Sequence, residues 1–285
     1  MGQHCCSSSE TFLRPGRLYS LKADSSELLE FDLNSRRLYA HRFTDLALPQ
    51  QAKFCLLSEQ LFIVGGRSRL SRRATVVNES SGLCFLFTGG LQLRAPLVLA
   101  RQAHGLTTHE RFAYAISGSP EGHKASKVCE QYDAEADCWE LMPSLSIPRL
   151  HPGVCCNKHR LYVTGGNSGA SLECVRVIEV FDVLLNSWTV LDLRLPVSVW
   201  RHVCVAYEGG LAVFGGSSTA GKLCTDCFIM GLSTRRITQV PGLTQGGYFS
   251  GVQQVRGKDI FALEDSGCLY AFEHGKWTST ALRST

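Results

Sequence analysis

The segment Leu161-Tyr162-Val163-Thr164-Gly165-Gly166 has a pattern that returns along nearly the whole chain. It joins a short apolar run to a pair of small residues. Three other segments share both features: Leu61 to Gly66, Ala113 to Gly118 and Leu211 to Gly216. Two more keep only the apolar half: Leu18 to Leu21 and Ile260 to Leu263. The first residues of these six segments are 43, 52, 48, 50 and 49 residues apart, so we interpret them as internal repeats.

A second element falls between these segments. Tyr132-Asp133 is followed by Trp139, and Phe181-Asp182 is followed by Trp188, each tryptophan seven residues after the aromatic residue. Phe31-Asp32 with Leu38 keeps this offset, and Phe272-Glu273 with Trp277 is a shortened version. Apolar runs of four to six residues between Gly, Ser and Asn clusters predict strands, and Asp and Asn predict the turns between them.

Four short strands in about 50 residues cannot bury their faces alone, so such units stack radially into a closed ring. We therefore predict an all-β fold, a β-propeller of six four-stranded blades spanning residues 17–285. Residues 1–16 are predicted to be a flexible tail. The sixth blade is complete in the sequence, whereas the first lacks an inner strand unless Thr11-Phe12-Leu13 supplies it.

Composition narrows the function classes. The 285 residues are 44% hydrophobic and 19% charged, and the net charge of +4 is too mild to predict nucleic-acid binding. No run approaches the roughly 18 apolar residues of a membrane helix, and no signal-peptide core follows Met1. The thirteen cysteines have no framework spacing, which favours a reducing compartment and a cytoplasmic location.

The glycine pair, the Tyr-Asp step and the tryptophan at these offsets resemble the kelch repeat, over about residues 17 to 282. The resemblance implies a kelch-type propeller and fixes fold more firmly than function, since galactose oxidase shares the repeat. We expect a stand-alone kelch protein that acts as a protein-interaction module or scaffold. Ubiquitin-ligase membership is not supported, because kelch-like adaptors carry dimerisation and cullin-binding domains ahead of the propeller.

An enzyme with a metal-dependent site assembled from loops is the first alternative. The histidines are dispersed, with no His-x-His, and Cys224-Thr225-Asp226-Cys227 has no second pair at zinc spacing. No Gly-x-Ser-x-Gly elbow or phosphate loop is present. We therefore expect no catalytic residues, no metal and no cofactor.

Binding is the preferred hypothesis, because propeller loops converge at one mouth of the central channel. In kelch-like adaptors two loop classes there hold an acidic peptide. The resemblance places Arg101, Arg149 and Arg201 before the inner strands. It places Arg67, Asn167 and Ser217 directly after the glycine pairs.

Arginine suits carboxylate recognition. The same arginines could instead brace neighbouring loops. The basic run Arg67, Arg69, Arg72 and Arg73 is interpreted as one loop, solvated or partner-binding.

The N-terminus supplies the second alternative, a membrane-tethered signalling scaffold. Gly2 is a candidate for myristoylation, although Cys6 stands where Ser or Thr is preferred. Cys5 and Cys6 are candidates for palmitoylation, the second signal that makes anchoring stable. Membrane association is expected only if this acylation occurs.

Overall fold

The structure is a computed structural model that describes residues 17–21, 27–43, 48–72, 75–120, 124–169, 174–249, 254–256 and 258–282. The predicted tail, with Gly2, Cys5, Cys6 and Thr11 to Leu13, lies outside the described residues. Among the described residues, no helix reaches the length and apolarity that a membrane span requires.

The described strands form six antiparallel sheets of three or four strands, the blades, in sequence order, and two further two-stranded sheets. Blade 1 has three described strands: β1 (Arg17–Leu21), β2 (Glu27–Asp32) and β3 (Arg37–Arg42). Blade 2 has four strands and an added hairpin: β4 (Lys53–Leu57), β5 (Gln60–Val64), the hairpin strands β6 (Arg67–Arg72) and β7 (Thr75–Ser80), then β8 (Cys84–Phe87) and β9 (Leu91–Arg94). The basic run predicted as a loop therefore forms strand β6 as far as Arg72. This strand pairs with β7 in a hairpin in which Arg67 lies opposite Ser80. Arg73 lies outside the described residues.

Blades 3 and 4 are regular. Blade 3 contains β10 (Gly105–His109), β11 (Phe112–Ile116), β12 (Cys129–Asp133) and β13 (Cys138–Met142). Blade 4 contains β14 (Gly153–Asn157), β15 (Arg160–Thr164), β16 (Val177–Asp182) and β17 (Ser187–Arg194). In both, the predicted apolar segment is the second strand, and the aromatic-Asp step ends the third strand.

Blades 5 and 6 complete the ring. Around blade 5 the strands are β18 (Val199–Trp200), β19 (Val203–Tyr207), β20 (Gly210–Phe214), β21 (Ser217–Ser218), β22 (Cys227–Met230) and β23 (Ile237–Val240), with β18 and β21 paired separately. Blade 6 contains β24 (Gln254–Arg256), β25 (Asp259–Leu263), β26 (Cys268–Glu273) and β27 (Lys276–Ala281). The predicted six-bladed, all-β architecture is confirmed.

Aromatic side chains join successive blades, as the spacing predicts. Trp139 of blade 3 is buried, stacks on Phe62 of blade 2 with centroids 6.2 Å apart, and donates its indole N–H to the Ala95 carbonyl at 3.1 Å. Trp277 of blade 6 lies 4.8 Å from Phe214 of blade 5. The area these rings bury is what holds the blades together.

The ring closes through contacts of blade 6 with blade 1. Leu18 and Leu29 form one buried cluster with Leu263 of β25. The Ser20 hydroxyl also donates to Asp265 at 3.4 Å. Both ends of the described chain therefore contribute to the same interface.

Candidate functional site

The mouth is defined here as the end of the channel where the chain enters each inner strand and where the glycine pairs lie. The second residue of each pair donates its N–H to a carbonyl of the next blade: Gly66 to Arg101, Gly118 to Arg149, Gly166 to Val199 and Gly216 to Gly247. A Cβ at Gly216 would lie 2.5 Å from the Trp200 carbonyl oxygen. The glycines are therefore required by the close approach of backbones.

These hydrogen bonds show that the sequence alignment of Arg201 with Arg101 and Arg149 was wrong by two residues. Val199, not Arg201, occupies the position of Arg101 and Arg149. Arg201 lies two residues later, with Ala103 and His151, and these three share a left-handed backbone with φ of 55°, 56° and 50°. Their peptides are linked: His151 N–H donates to the Ala103 carbonyl at 2.6 Å, and Arg201 N–H donates to the His151 carbonyl at 3.0 Å. Spacing alone concealed this shift because blade 5 also carries an arginine near its inner strand.

Arg149 lies in the interior, with 0% of its surface exposed. Its guanidinium donates to Glu179 at 2.9 Å and to the carbonyls of Gly165 and Val177, each at 2.9 Å. Glu179 also accepts the Ser146 N–H at 2.7 Å. The residue braces blade 4 instead of facing the mouth.

Arg101 repeats this arrangement in blade 3. It is 0% exposed, pairs with Glu130, and donates to the carbonyls of Ser117 and Val128. Glu130 accepts the Val98 N–H at 2.7 Å. For both arginines an internal carboxylate and backbone carbonyls accept the guanidinium N–H groups, which favours the bracing alternative, and contact with a partner stays a prediction.

The residues after the glycine pairs separate into two groups. Asn167 and Ser217 are buried; the Asn167 side chain accepts the Gly169 N–H at 2.7 Å, and the Ser217 hydroxyl contacts the Lys222 carbonyl at 3.3 Å. These two side chains hold their own loops. Arg67 is half-buried and donates to the Gln50 side chain at 3.2 Å. Of the three, Arg67 alone keeps surface at the mouth.

Arg201 is the centre of a cationic and aromatic cluster at the mouth. Its guanidinium carbon lies 5.0 Å from the Trp200 ring centroid and 5.2 Å from that of Tyr248. Its Nε is 3.4 Å from Nε2 of His151, whose ring lies 5.5 Å from Trp200. All four side chains are half-buried. We call Arg201, Trp200, Tyr248 and His151 the mouth cluster.

Arg201 differs from the bracing arginines Arg101 and Arg149 in that its guanidinium has no carboxylate from the neighbouring described strand beside it. The residue aligned with Glu130 and Glu179 in blade 5 is Phe228, so no carboxylate lies there. Among the described residues, no carboxylate forms an ion pair with Arg201. The guanidinium of Arg201 lies over two aromatic rings, an arrangement that leaves its N–H groups available to donate to a carboxylate.

The imidazoles of His151, in this cluster, and of His202 beside it have lowered pKa values. Burial, together with the charges of Arg149 and Lys53, lowers the pKa of His202 to about 3. The pKa of His151 is also well below its usual value because of burial, then Arg201 and Lys53. Lys53 starts the inner strand of blade 2, and its pKa is lowered by burial and by Arg201, while Asp265 raises it. The positive charge of the cluster therefore comes from the guanidinium of Arg201.

The contact between Thr164 and His202 resembles a hydroxyl–imidazole catalytic pair, but solvent does not reach it. The Thr164 hydroxyl lies 2.8 Å from Nε2 of His202 and donates to the Gly153 carbonyl at 3.2 Å. Thr164 and His202 are both buried. The predicted C-x-x-C places Cys227 in β22 and Cys224 in the preceding loop, where the Cys224 N–H donates to Gly216. The Thr164–His202 and Cys224–Gly216 contacts are therefore structural contacts within the propeller.

The comparisons with known proteins agree with this geometry. A family profile described as the Kelch motif matches residues 148–192. Human Kelch-like protein 38 is 30% identical over 166 residues, which are 58% of this chain and 28% of that protein. Human Kelch repeat and BTB domain-containing protein 13 is 30% identical over 246 residues, 81% of this chain and 50% of that protein. The chain thus spans half or less of the length of these curated relatives.

A solved structure, titled "Structure of YjhT", superposes with a TM-score of 0.74, covering 93% of this chain and 98% of that one at 12% identity. This likeness shows the fold alone. The repeat signature and the relatives then give the family. The chain belongs to the kelch-repeat proteins.

Proposed function

We propose that this kelch propeller is a protein-interaction module that binds an acidic segment of a partner protein at the mouth cluster. The observation that carries the proposal is Arg201, a half-buried cation with aromatic neighbours and no carboxylate ion pair among the described residues. A carboxylate from a partner would supply the pairing that Glu130 and Glu179 supply to the bracing arginines.

The chemistry of the mouth cluster supports an acidic ligand. An arginine held flat on aromatic rings loses little further freedom when it makes two parallel bonds to a carboxylate. Trp200 and Tyr248 add apolar surface of the kind found at interface hot spots. Arg67, at the edge of the mouth, is the remaining candidate from the sequence.

The test uses purified protein and an array of peptides rich in Asp and Glu, with charge-neutral versions as reference. The best peptide is labelled, and its affinity is measured by fluorescence anisotropy for Arg201→Ala. Ala103 shows that alanine is accepted at this left-handed position. We expect a loss of about 2 kcal/mol, roughly 30-fold in Kd.

Arg235→Ala is the matched control. Arg235 belongs to the same blade, has φ of 53°, and forms an exposed ion pair with Asp192 at 3.0 Å. It should leave the affinity unchanged. If Arg201→Ala binds as tightly as Arg235→Ala, the mouth cluster is not the binding site. If no acidic peptide binds above the neutral reference, the acidic ligand is wrong.

Membrane tethering is a separate proposal that rests on sequence alone. Gly2, Cys5 and Cys6 lie outside the described residues, and the thiols elsewhere fit the cytoplasmic location that we propose, since each of the eleven described cysteines is free. Labelling of cells with a myristate analogue should mark the wild-type protein and not Gly2→Ala. Absence of label from both would remove this proposal without affecting the interaction module.

A further inference from the structure

The opposite end of the channel carries a different cluster, at the turns that join each inner strand to the second strand. His109 ends β10, Glu110 follows it in the turn, and His159 lies in the equivalent turn of blade 4. Nδ1 of His159 lies 3.2 Å from Nε2 of His109, although the residues are 50 positions apart. Oε1 of Glu110 lies 3.8 Å from the same His109 nitrogen.

The spacing of these three groups fits a tetrahedral metal ion. Zinc binds imidazole nitrogen at about 2.0–2.1 Å, so two nitrogens at tetrahedral angles are about 3.3–3.4 Å apart. The two imidazole nitrogens therefore already have the required separation. All three ligand atoms lie within 4.8 Å of one another, and the Glu110 side chain is 64% exposed, so a change of its torsions can bring the carboxylate in.

A neighbouring boundary shows what these positions hold when no metal is involved. Between blades 5 and 6 the aligned residues are Tyr207, Glu208 and Lys258. Glu208 pairs with Lys258 at 3.6 Å, and the Tyr207 hydroxyl donates to the Lys258 carbonyl at 3.0 Å. The boundary between blades 3 and 4 has the same carboxylate, but two histidines in place of the tyrosine and the lysine. Among the described residues, no lysine or arginine forms an ion pair with Glu110 at this boundary.

We propose that His109, His159 and Glu110 form a zinc site that links blades 3 and 4 on the face opposite the mouth. Two imidazoles and one carboxylate are a common zinc donor set, and three protein ligands leave the fourth position open to water or to a ligand from a partner. For both nitrogens to bind the metal, each ring must carry its proton on its other nitrogen. The metal then replaces the hydrogen that the two rings share.

The ligands differ in how readily a metal reaches them. His159 and Glu110 are exposed, whereas His109 is half-buried, and burial lowers its pKa while Glu110 raises it. The site is accessible from solvent and needs no opening of the blade interface. It is independent of the mouth cluster, which lies at the other end of the channel.

The test is a zinc titration of the full chain against a chromogenic chelator, repeated with cobalt, whose absorption reports tetrahedral coordination. Cys224, Cys227 and other side chains can bind metal weakly, so each variant is compared with wild type and not with buffer. The double variant His109→Asn/His159→Asn should bind one equivalent fewer and should lose the tetrahedral cobalt spectrum. His159→Asn and Glu110→Gln alone should each weaken zinc binding at least about 10-fold, the lower limit for loss of even an outer-shell partner.

Glu208→Gln is the matched control, because it removes the aligned carboxylate at the boundary that has no histidines. It should bind zinc as wild type does. Melting in the presence of EDTA shows whether each variant is folded, and zinc should raise the melting temperature of wild type and Glu208→Gln only. The proposal fails if the exposed-residue variants His159→Asn and Glu110→Gln keep the stoichiometry and affinity of wild type.

Discussion

Replacing Arg149 by methionine tests whether the buried arginines stabilise the blades or bind a partner. Methionine keeps much of the length of the side chain but removes the charge and every donor. The carbonyls of Gly165 and Val177 then lose their donor, and Glu179 remains as a buried carboxylate.

Breaking one partner of a buried ion pair costs about 3–5 kcal/mol. Glu179 keeps its bond from the Ser146 N–H, so we expect the lower half of this range. With an unfolding entropy of about 2.1 cal/mol/K per residue, such a loss lowers the Tm of a chain of this size by about 5–7 °C.

The assay is equilibrium unfolding in urea together with thermal melting. Arg160→Met is the control in the same blade: its pair with Asp182 is exposed, with 59% of the arginine side chain accessible, and such pairs contribute about 0–1 kcal/mol. Adding Glu179→Met to Arg149→Met should restore part of the stability, because two apolar side chains leave no uncompensated charge.

Equal melting temperatures for Arg149→Met and Arg160→Met would refute the bracing role of Arg149. Peptide affinity, measured on the same proteins at a temperature where all are folded, should be unaffected by Arg149→Met. Loss of affinity at unchanged stability would return Arg149 to the binding site.

Three other predictions concern stability. Trp139→Ala should cost about 3–5 kcal/mol, because the ring is buried between two blades, and Trp188→Ala should cost less, because its ring is only half-buried; equal costs in urea unfolding would contradict this. Gly165→Ala should prevent stable folding, since its φ is 54° and a Cβ would lie 2.3 Å from the His202 ring; a soluble variant with wild-type Tm would show the contact to be dispensable. Acid should destabilise the protein: the pKa of His202 is about 3 when folded and about 6.5 when unfolded, so stability is complete above about pH 6.5 and is lost as the pH falls toward 3, by up to about 1.4 kcal/mol per pH unit, with His151 shifted in the same direction. Equal free energies of unfolding in urea at pH 7 and pH 5 would refute this reading.

The repeat and its chemistry could be read from the sequence, because strands, turns and glycine pairs are local features with fixed spacing. The register of Leu61 to Gly66 and its relatives predicted six blades, and the Tyr132-to-Trp139 offset predicted the aromatic packing between blades. These features are repeated, so each confirms the others.

The candidate sites depended on tertiary structure. Arg149 and Arg201 look alike in the sequence, each near the start of an inner strand. The fold places one against Glu179 and the other two positions later, on Trp200 and Tyr248. Arg149 meets a carboxylate because Glu179 lies 30 positions later on another strand, whereas the backbone register at the entry to blade 5 gives that position to Val199 and places Arg201 at the mouth.

The histidines are a second case in which the tertiary structure, and not the sequence, reveals which side chains meet. Their dispersal along the chain gave no reason to expect a metal, because histidines of different repeats are distant from one another in the sequence. His109 and His159 lie in turns of neighbouring repeats, and the radial stacking of blades 3 and 4 brings their ring nitrogens to 3.2 Å. The sequence determined the blades, and the closure of the blades into a ring determined which side chains meet, because contacts between repeats form only when the ring is assembled.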